Sequence, residues 1–333
     1  MKKLAVLFSI FLFVSLCSVV CTGALNHTQQ KEDKELTIVT SFYPVYIATE
    51  NVIDGMDDVT LINLTENHSG CLHDYQLTTQ DMRALEQADV FIMNGGGMES
   101  FVEDIAKQYP NLTIIDASEG IDFLESEGHS HKHGEEEEED EHEHGHDEEE
   151  ELEHDHSHEE EENAHVWMNP VLYQQQVHNI AAGLEKVDSD RIHIYEKNEK
   201  TYINKIKHLI QEYKQLPDVS GQYVITFHDA FAYLAQFMKL EVPYSVDLDD
   251  DSGLSAGQIA QVVDCVKHDG VKMLFTEKQY SKSIASNVSN ETDAKVYVLD
   301  ALVNGSKTKD AYLEGMRSNL EVLKKALEEA GEK

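Results

Sequence analysis

The sequence predicts an α/β fold of two lobes, each a parallel sheet flanked by helices, joined by one long rigid helix. Three observations predict it. Short apolar runs alternate with amphipathic stretches, the two halves repeat one pattern, and a helical stretch without Gly or Pro lies between them. The length of 333 residues suits two domains, and a hydrophobic content of 41% allows each of them a core.

Both halves alternate between predicted buried strands and helices. In the first half the strands are LTIVT (36–40), VTLINL (59–64), DVFIM (89–93) and LTII (112–115), with helices over 46–53, 79–87 and 98–109. In the second half the strands are 223–226, 242–246, 273–275 and 296–299, with helices over 230–239, 255–268 and 281–290. Such alternation indicates parallel strands connected by crossover helices.

Residues 88–117 and 271–301 indicate an internal duplication. Each segment runs through a strand, a polar turn, a helix and a second strand, and ends in Asp-Ala, at Asp116 and at Asp300. We therefore expect two equivalent lobes, over residues 35–186 and 220–328.

Residues 188–216 are predicted to form the connecting helix. Asp188 or Ser189 can cap its start, Pro217 lies just past its end, and about 29 helical residues would span roughly 43 Å. Apolar side chains recur in it at helical spacing: Ile192, Tyr195, Tyr202, Ile206, Leu209 and Tyr213. A long surface helix within one domain is the alternative.

The N-terminus, residues 1–24, has the pattern of a secretory signal. Two lysines precede the apolar run Leu4–Val20, whose 17 residues suit a signal and are few for a spanning helix. Cleavage after Ala24 and lipidation of Cys21 are both open, so we expect export to the outer face of the cytoplasmic membrane, the periplasm or the exterior. Cys71 and Cys265, in different halves, are expected to be free thiols.

The segment 128–162 is a low-complexity insertion in the first lobe. It carries 19 acidic residues and one lysine, and it cannot bury apolar area, so we expect disorder. Its nine histidines form three HxHxH triplets: His129, His131 and His133; His142, His144 and His146; His154, His156 and His158. The net charge of the chain, −38, disfavours nucleic acid and anionic lipid as partners and favours cations.

Four candidate metal ligands lie at or near strand ends, where open parallel sheets bind ligands. His73 follows VTLINL, His165 lies in AHVWMNP, His228 follows YVIT, and Asp300 ends VYVLD. Two come from each half, so a cleft between the lobes could bring them together. Three imidazoles and one carboxylate suit Zn²⁺, and suit Mn²⁺ less because Mn²⁺ favours more oxygen ligands.

Eight motifs in order resemble the metal-specific solute-binding proteins of ABC importers, and their zinc-binding branch in particular. They are TSFYPVY, HDYQLTTQDM, ADVFIMNGGGMESF, HVWMNP, TFHDAFAYLAQ, LFTEKQY, VYVLDAL and YLEGMRSNLEVL, and they span about residues 36–327. The resemblance implies two lobes joined by a rigid helix, a metal in the cleft, and a membrane permease as partner. It also implies a monomer that binds zinc and is not an enzyme.

The resemblance also implies residue roles. His73, His165 and His228 would be the three histidine ligands, and His228 stands where the manganese branch has Glu. Asp300 matches the acidic fourth ligand, which some zinc members replace by water or another carboxylate. Glu277 would support the site, with ligation as the alternative. Apart from the resemblance, Cys71 lies two residues before His73, and its thiolate is a further candidate ligand. The usual Leu-Asp-Pro and Asp-Pro-Leu are here Met168-Asn169-Pro170 and Asp300-Ala301-Leu302.

Three interpretations of the His-rich run remain open: a solvated spacer, an auxiliary collector that binds several zinc ions weakly, and a sensor of zinc status. In an extended segment alternate side chains point the same way, so each triplet presents its imidazoles together, which favours the collector. Two rival functions are a zinc storage or adhesion protein whose main site is this run, and an exported zinc hydrolase. The hydrolase is disfavoured because the one HExxH match, His142 to His146, lies inside the low-complexity insertion and not on a predicted helix.

Overall fold

The computed structural model describes residues 35–66, 75–126, 162–246, 254–278, 284, 287–288 and 291–331. The predicted signal, Cys71, His73 and the nine histidines of the insertion lie outside these ranges, and so does most of the helix predicted over 281–290.

The first sheet has four parallel strands in the order β2-β1-β3-β4. The strands are β1 (Leu36–Thr40), β2 (Val59–Asn63), β3 (Val90–Met93) and β4 (Thr113–Asp116). Between them lie α1 (Tyr43–Val52), α2 (Thr79–Gln87) and α3 (Val102–Gln108). A capping box of Thr78 and Asp81 starts α2.

A short antiparallel pair follows the first sheet: β5 (Leu124–Glu125) and β6 (Glu162–Asn163). These strands flank the insertion, and Glu162, which we expected to be disordered with the rest of the run, pairs with Glu125. The chain therefore leaves and re-enters the described fold at neighbouring positions on either side of the insertion.

Two long helices lead from the first sheet to the second. The first, α4 (Pro170–Val187), is not among the elements predicted from the sequence, although Asn169 caps it and Pro170 opens it. The second, α5 (Ile192–Tyr213), is shorter than the helix predicted over 188–216. Asp188 leaves the helical conformation, and its carboxylate binds the Arg191 guanidinium and the Tyr195 hydroxyl, so a 3₁₀ turn at Ser189–Arg191 precedes α5. Its role as the connector of two lobes stays a prediction.

The second sheet repeats the first, as the internal duplication predicts. Its strands are β7 (Tyr223–Thr226), β8 (Glu241–Ser245), β9 (Met273–Thr276) and β10 (Lys295–Val298), all parallel, in the order β10-β9-β7-β8. Read from β8, this is the order of the first sheet. Helices α6 (Ala230–Met238) and α7 (Ala256–Asp269) lie between these strands, and α8 (Ala311–Gly331) ends the described chain.

The two sheets share one large core. Ile38 of β1, Trp167, Phe275 of β9 and Leu320 of α8 all belong to it. The opposite face of each sheet has its own smaller cluster: Val39 packs with the α2 and α3 side, and Leu274 packs with the α7 side. Because neighbouring strand residues point to opposite faces, Ile38 and Val39 serve different clusters. The shared core fixes the carboxyl ends of β7 and β9 beside the turn that follows β6.

Candidate metal centre

Two of the predicted ligands, His165 and His228, lie side by side and are buried. Their ring centroids are 4.9 Å apart with the planes at 79°, and their exposed fractions are 3% and 4%. His165 precedes the 3₁₀ turn Val166–Met168, and His228 lies two residues beyond β7. The fold therefore brings together histidines that are 63 positions apart in the sequence.

The ring of His165 is oriented by Asn163. The side-chain oxygen of Asn163 accepts from the backbone N–H of His165 at 3.1 Å and lies 2.9 Å from its Nδ1. The amide nitrogen of Asn163 donates to the backbone carbonyl of Asp229 at 2.9 Å, which fixes which end of the amide faces the ring. Because the facing atom is an acceptor, Nδ1 of His165 must carry the proton in this contact.

The ring of His228 contacts a carboxylate. Oε2 of Glu277, at the end of β9, lies 3.2 Å from Nδ1 of His228, and both side chains are largely buried. The contact is within ion-pair distance but is not a hydrogen bond. Glu277 therefore lies beside His228, and its role in supporting the site stays a prediction. In both histidines an oxygen lies close to Nδ1, so Nε2 is the nitrogen that each ring would offer to a metal.

Asp300, the predicted acidic ligand, follows β10 on a hydrogen-bonded loop. Its Oδ1 accepts from the backbone N–H of Leu302 at 2.8 Å, and Asn319 of α8 bonds both its backbone N–H and its carbonyl. The residue as a whole is exposed. Partial desolvation of its carboxyl group raises its pKa, the Leu302 N–H opposes this, and the charge of Glu277 adds to the rise. Asp300 and Glu277 are thus close enough to interact.

Trp167 joins the turn after His165 to the loop that carries Asp300. Its indole N–H donates to the carbonyl of Ala301 at 2.8 Å, and its own carbonyl accepts from the Tyr312 hydroxyl at 2.8 Å. The ring is fully buried and lies 5.1 Å from that of His165. As the only tryptophan of the chain, it is placed to report on events at the histidines.

Both ends of the insertion attach to the residue next to His228. The hydroxyl of Ser126 donates to Oδ2 of Asp229 at 2.5 Å, and Asn163 binds the carbonyl of the same residue. Tyr233 of α6 adds two bonds: its hydroxyl donates to the carbonyl of Asn163 at 2.7 Å and accepts from the N–H of Leu124 at 2.9 Å. The residues that flank the insertion on either side are therefore fixed beside both histidines.

Within the described ranges, no three His, Cys, Asp or Glu side chains converge as a metal-holding group. His165, His228 and Asp300 are all described and do not form such a group, and His73 lies outside those ranges, so the full set of four ligands stays a prediction. Asn163, which orients His165, was not predicted. Its sequence signal is an Asn two residues before a candidate ligand, because an Asn side chain often accepts from the N–H two positions on.

The family model of the zinc-uptake complex component A, periplasmic (ZnuA), matches residues 38–326. The chain belongs to this family. It is 34% identical, over 98% of each chain, to the high-affinity zinc uptake system protein ZnuA of Bacillus subtilis (strain 168). It is 30% identical to the zinc-binding protein AdcA of Streptococcus pyogenes serotype M18, over 97% of this chain and 62% of that protein.

Solved structures support the same assignment. The Zn(II)-bound ZnuA-like domain of Streptococcus pneumoniae AdcA is 25% identical with a TM-score of 0.68, over 88% of this chain and 98% of that one. FpvC of Pseudomonas aeruginosa in complex with Mn²⁺ is 23% identical with a TM-score of 0.71, over 90% and 100%, and bears on the fold alone. The resemblance of the motifs to zinc-binding solute-binding proteins and the predicted α/β fold are thereby confirmed.

The family is periplasmic by description, in agreement with the predicted export. Across the part of the chain that the structure describes, no helix has both the length and the apolar character that a bilayer-spanning segment requires.

Proposed function

We propose that this protein captures Zn²⁺ outside the cytoplasm and delivers it to the membrane permease of an ABC importer. The observation that carries the proposal is the buried pair His165 and His228 in a chain of the ZnuA family, with Oδ1 of Asn163 2.9 Å from Nδ1 of His165 and Oε2 of Glu277 3.2 Å from Nδ1 of His228. Oriented neutral imidazoles are the ligands that Zn²⁺ prefers in proteins. The protein acts as a binding component and not as an enzyme.

His73 and Asp300 complete the proposed site, in a cleft between lobes at residues 35–186 and 220–328. His73 would come from the loop between β2 and α2, and Asp300 follows β10. Both positions lie beyond the carboxyl ends of parallel strands, as His228 does. Glu277 lies beside His228 and interacts electrostatically with Asp300, and these two carboxylates would favour a divalent cation. Zn²⁺ is favoured over Mn²⁺ because histidine nitrogens dominate the set.

Acidification is expected to release the ion. Histidine binds zinc only as neutral imidazole, so protons compete with the metal below the ordinary histidine pKa. The apparent zinc affinity at pH 5.5 should be at least ten-fold weaker than at pH 7.5, measured with a competing chelator. The shared core between the sheets favours modest movement of the lobes over wide closure.

The His-rich run is proposed to collect zinc for this site. The residues that flank the run, Ser126 and Asn163, are hydrogen-bonded to Asp229, next to His228. The run therefore starts and ends near the proposed cleft and would bring bound ions close to it. Nine histidines among 19 acidic residues raise the local zinc concentration, while the cost of ordering keeps each site weak. Lipidation at Cys21, where it occurs, would hold the monomer at the membrane beside its permease.

Zinc uptake by cells tests the proposal. A strain that lacks this gene is complemented with wild-type protein or with the double variant His165→Ala/His228→Ala, and radiolabelled zinc uptake and growth in chelated medium are compared. We expect the variant, at equal abundance outside the cytoplasm, to give less than a tenth of the wild-type uptake. Uptake equal to wild type would contradict an import function of this site.

A further inference from the structure

The side chain of Asn163 is in contact with both histidine-bearing loops. It accepts from the backbone N–H and from Nδ1 of His165, and it donates to the carbonyl of Asp229, the residue after His228. His165 belongs to the segment between the two sheets, whereas Asp229 follows the first strand of the second sheet. The amide of Asn163 therefore links the loop of His165 to the loop of His228, and the distance between the two rings depends on how these loops are held together.

The surroundings of Asn163 hold it in one orientation. Its exposed fraction is 3%, its backbone pairs with Leu124, and its carbonyl accepts from the Tyr233 hydroxyl. The carboxylate of Asp229 is engaged elsewhere, by the hydroxyls of Ser126 at 2.5 Å and Ser245 at 3.4 Å. An amide fits this place better than a carboxylate, because only an amide can both accept from the ring and donate to the carbonyl of Asp229.

We propose that Asn163 is a positioning residue for zinc binding, which fixes the ring of His165 in one tautomer and orientation and holds it in register with the His228 loop. The inference rests on the proposed function, since it takes both histidines as zinc ligands. At His228 the nearby group is the carboxylate of Glu277, 3.2 Å from Nδ1, so the hydrogen-bonded amide of Asn163 is specific to His165. Removal of such an outer partner typically weakens metal binding about 10–100-fold.

The test compares three variants of the full chain by competition with a zinc chelator, following Trp167 fluorescence. Asn163→Ala loses all three side-chain bonds, two to His165 and one to Asp229, and its tight zinc site should weaken about 10–100-fold. Asn163→Asp keeps an acceptor for the ring and loses the donor to Asp229, so it should recover most of that affinity. Tyr233→Phe removes the hydroxyl that donates to the carbonyl of Asn163, and it should weaken zinc binding less than Asn163→Ala does.

A buried asparagine away from the histidines is the matched control. Asn51 of α1 also bonds across the two halves, with its amide donating to the carbonyl of Lys309 at 2.8 Å, and its exposed fraction is 6%. Asn51→Ala should lower the unfolding midpoint and leave zinc affinity within about two-fold of wild type. If Asn51→Ala lost as much zinc affinity as Asn163→Ala, any weakening of the contact between the two halves would reduce binding, and the inference would be overturned.

Proton NMR of the metal-free protein reads the contact itself. The hydrogen-bonded Nδ1 proton of His165 should give a protected low-field signal in wild type and in Asn163→Asp, absent in Asn163→Ala and in His165→Ala. Zinc affinity unchanged in Asn163→Ala but lost in His165→Ala overturns the inference and leaves the proposed function standing. An unchanged tight site in His165→Ala overturns the proposed function, and this inference with it.

Discussion

At the scale of single residues, the site depends on what holds each imidazole. His165 faces the neutral amide of Asn163, and His228 faces the carboxylate of Glu277. A carboxylate partner makes an imidazole a stronger donor of electrons to a metal than an amide does. His228 is therefore expected to be the stronger electron donor to a bound metal.

Removal of the Glu277 carboxylate should weaken zinc binding. We expect Glu277→Ala to raise the dissociation constant about 10–100-fold, because His228 loses the partner that orients its ring. Glu277→Gln, which keeps an acceptor oxygen, should lose less. Chelator competition at pH 7.5 measures both. Glu321→Ala, an exposed site on α8, is the control for lost negative charge, and equal losses in Glu321→Ala and Glu277→Ala would refute an orienting role.

Glu99 is a buried carboxyl that should make the free energy of unfolding depend on pH. Burial raises its pKa from the usual 4.5 to about 7, although the Ser41 hydroxyl and the N–H groups of Asn94 and Gly95 bind it and lower the pKa, and Asp116 raises it. Between pH 4.5 and about 7, Glu99 is therefore protonated in the folded state and ionised in the unfolded state. Stability should therefore fall as pH rises from about 4.5 to 7.

The variant Glu99→Gln isolates this effect. The free energy of unfolding of wild type minus that of the variant should fall by about 3 kcal/mol between pH 4.5 and 7.5. Urea unfolding of metal-free protein at several pH values measures it. If the two proteins keep a constant difference across this range, Glu99 does not titrate there.

His165, His228 and Glu277, which the structure brings together, were predicted from the sequence, whereas Asn163, the partner of His165, was not. Histidines at strand ends stand out in a sequence, whereas an asparagine is common and becomes notable only when its amide is seen between His165 and Asp229. The partners of Arg191 were not predictable either. It pairs with Asp188, three residues earlier, and with Asp58, far away in the sequence, at the break before α5. A pattern without Gly or Pro could not show that break.

At the scale of elements, the predicted strands agree with the structure within about one residue at each end, because buried parallel strands are short apolar runs. The helix α4 was missed despite its Asn169 cap and the apolar spacing of Tyr173, Val177 and Leu184. The pair β5 and β6 has two residues in each strand, too few for a periodic signal, and its partners lie on either side of the insertion.

Close packing of α4 on β4 should reverse the usual effect of a helix glycine. A Cβ on Gly183 would lie 2.7 Å from Cδ1 and Cγ2 of Ile115. Alanine normally favours a helix over glycine by about 1 kcal/mol, but overpacking costs about 1–3 kcal/mol. We expect Gly183→Ala to destabilise the protein, measured by urea unfolding.

The matched control is Gly257 in the first turn of α7, where an added Cβ meets nothing closer than 3.9 Å. Gly257→Ala should stabilise the protein by about 0.4–1 kcal/mol. A gain of similar size in Gly183→Ala would mean that α4 does not lie this close to the sheet.

At the scale of the whole molecule, the two halves are joined by more than a linker. Trp167 bonds to Ala301, and Tyr43 of α1 bonds to the carbonyl of Ser306 at 2.6 Å. Together with the shared core, these bonds hold the loops of His165, His228 and Asp300 in one framework. Such a framework pre-orders a binding site, so little of the binding energy is spent on arranging the ligands.

The central claim is that one tight zinc site lies at these histidines and that the His-rich run only adds weaker sites. The most direct measurement is a zinc titration of the mature protein against a competing chelator, with Trp167 fluorescence as the signal. The same titration is made on a variant that lacks residues 129–158, which removes all nine histidines of the run and spares the paired Glu125 and Glu162.

The account predicts that both proteins keep one tight zinc with equal affinity, that the intact protein alone takes up further zinc weakly, and that His165→Ala abolishes the tight site in both. Loss of the tight site upon removal of residues 129–158 would contradict it. The run itself would then be the main site, and storage or buffering of zinc would replace import as the function.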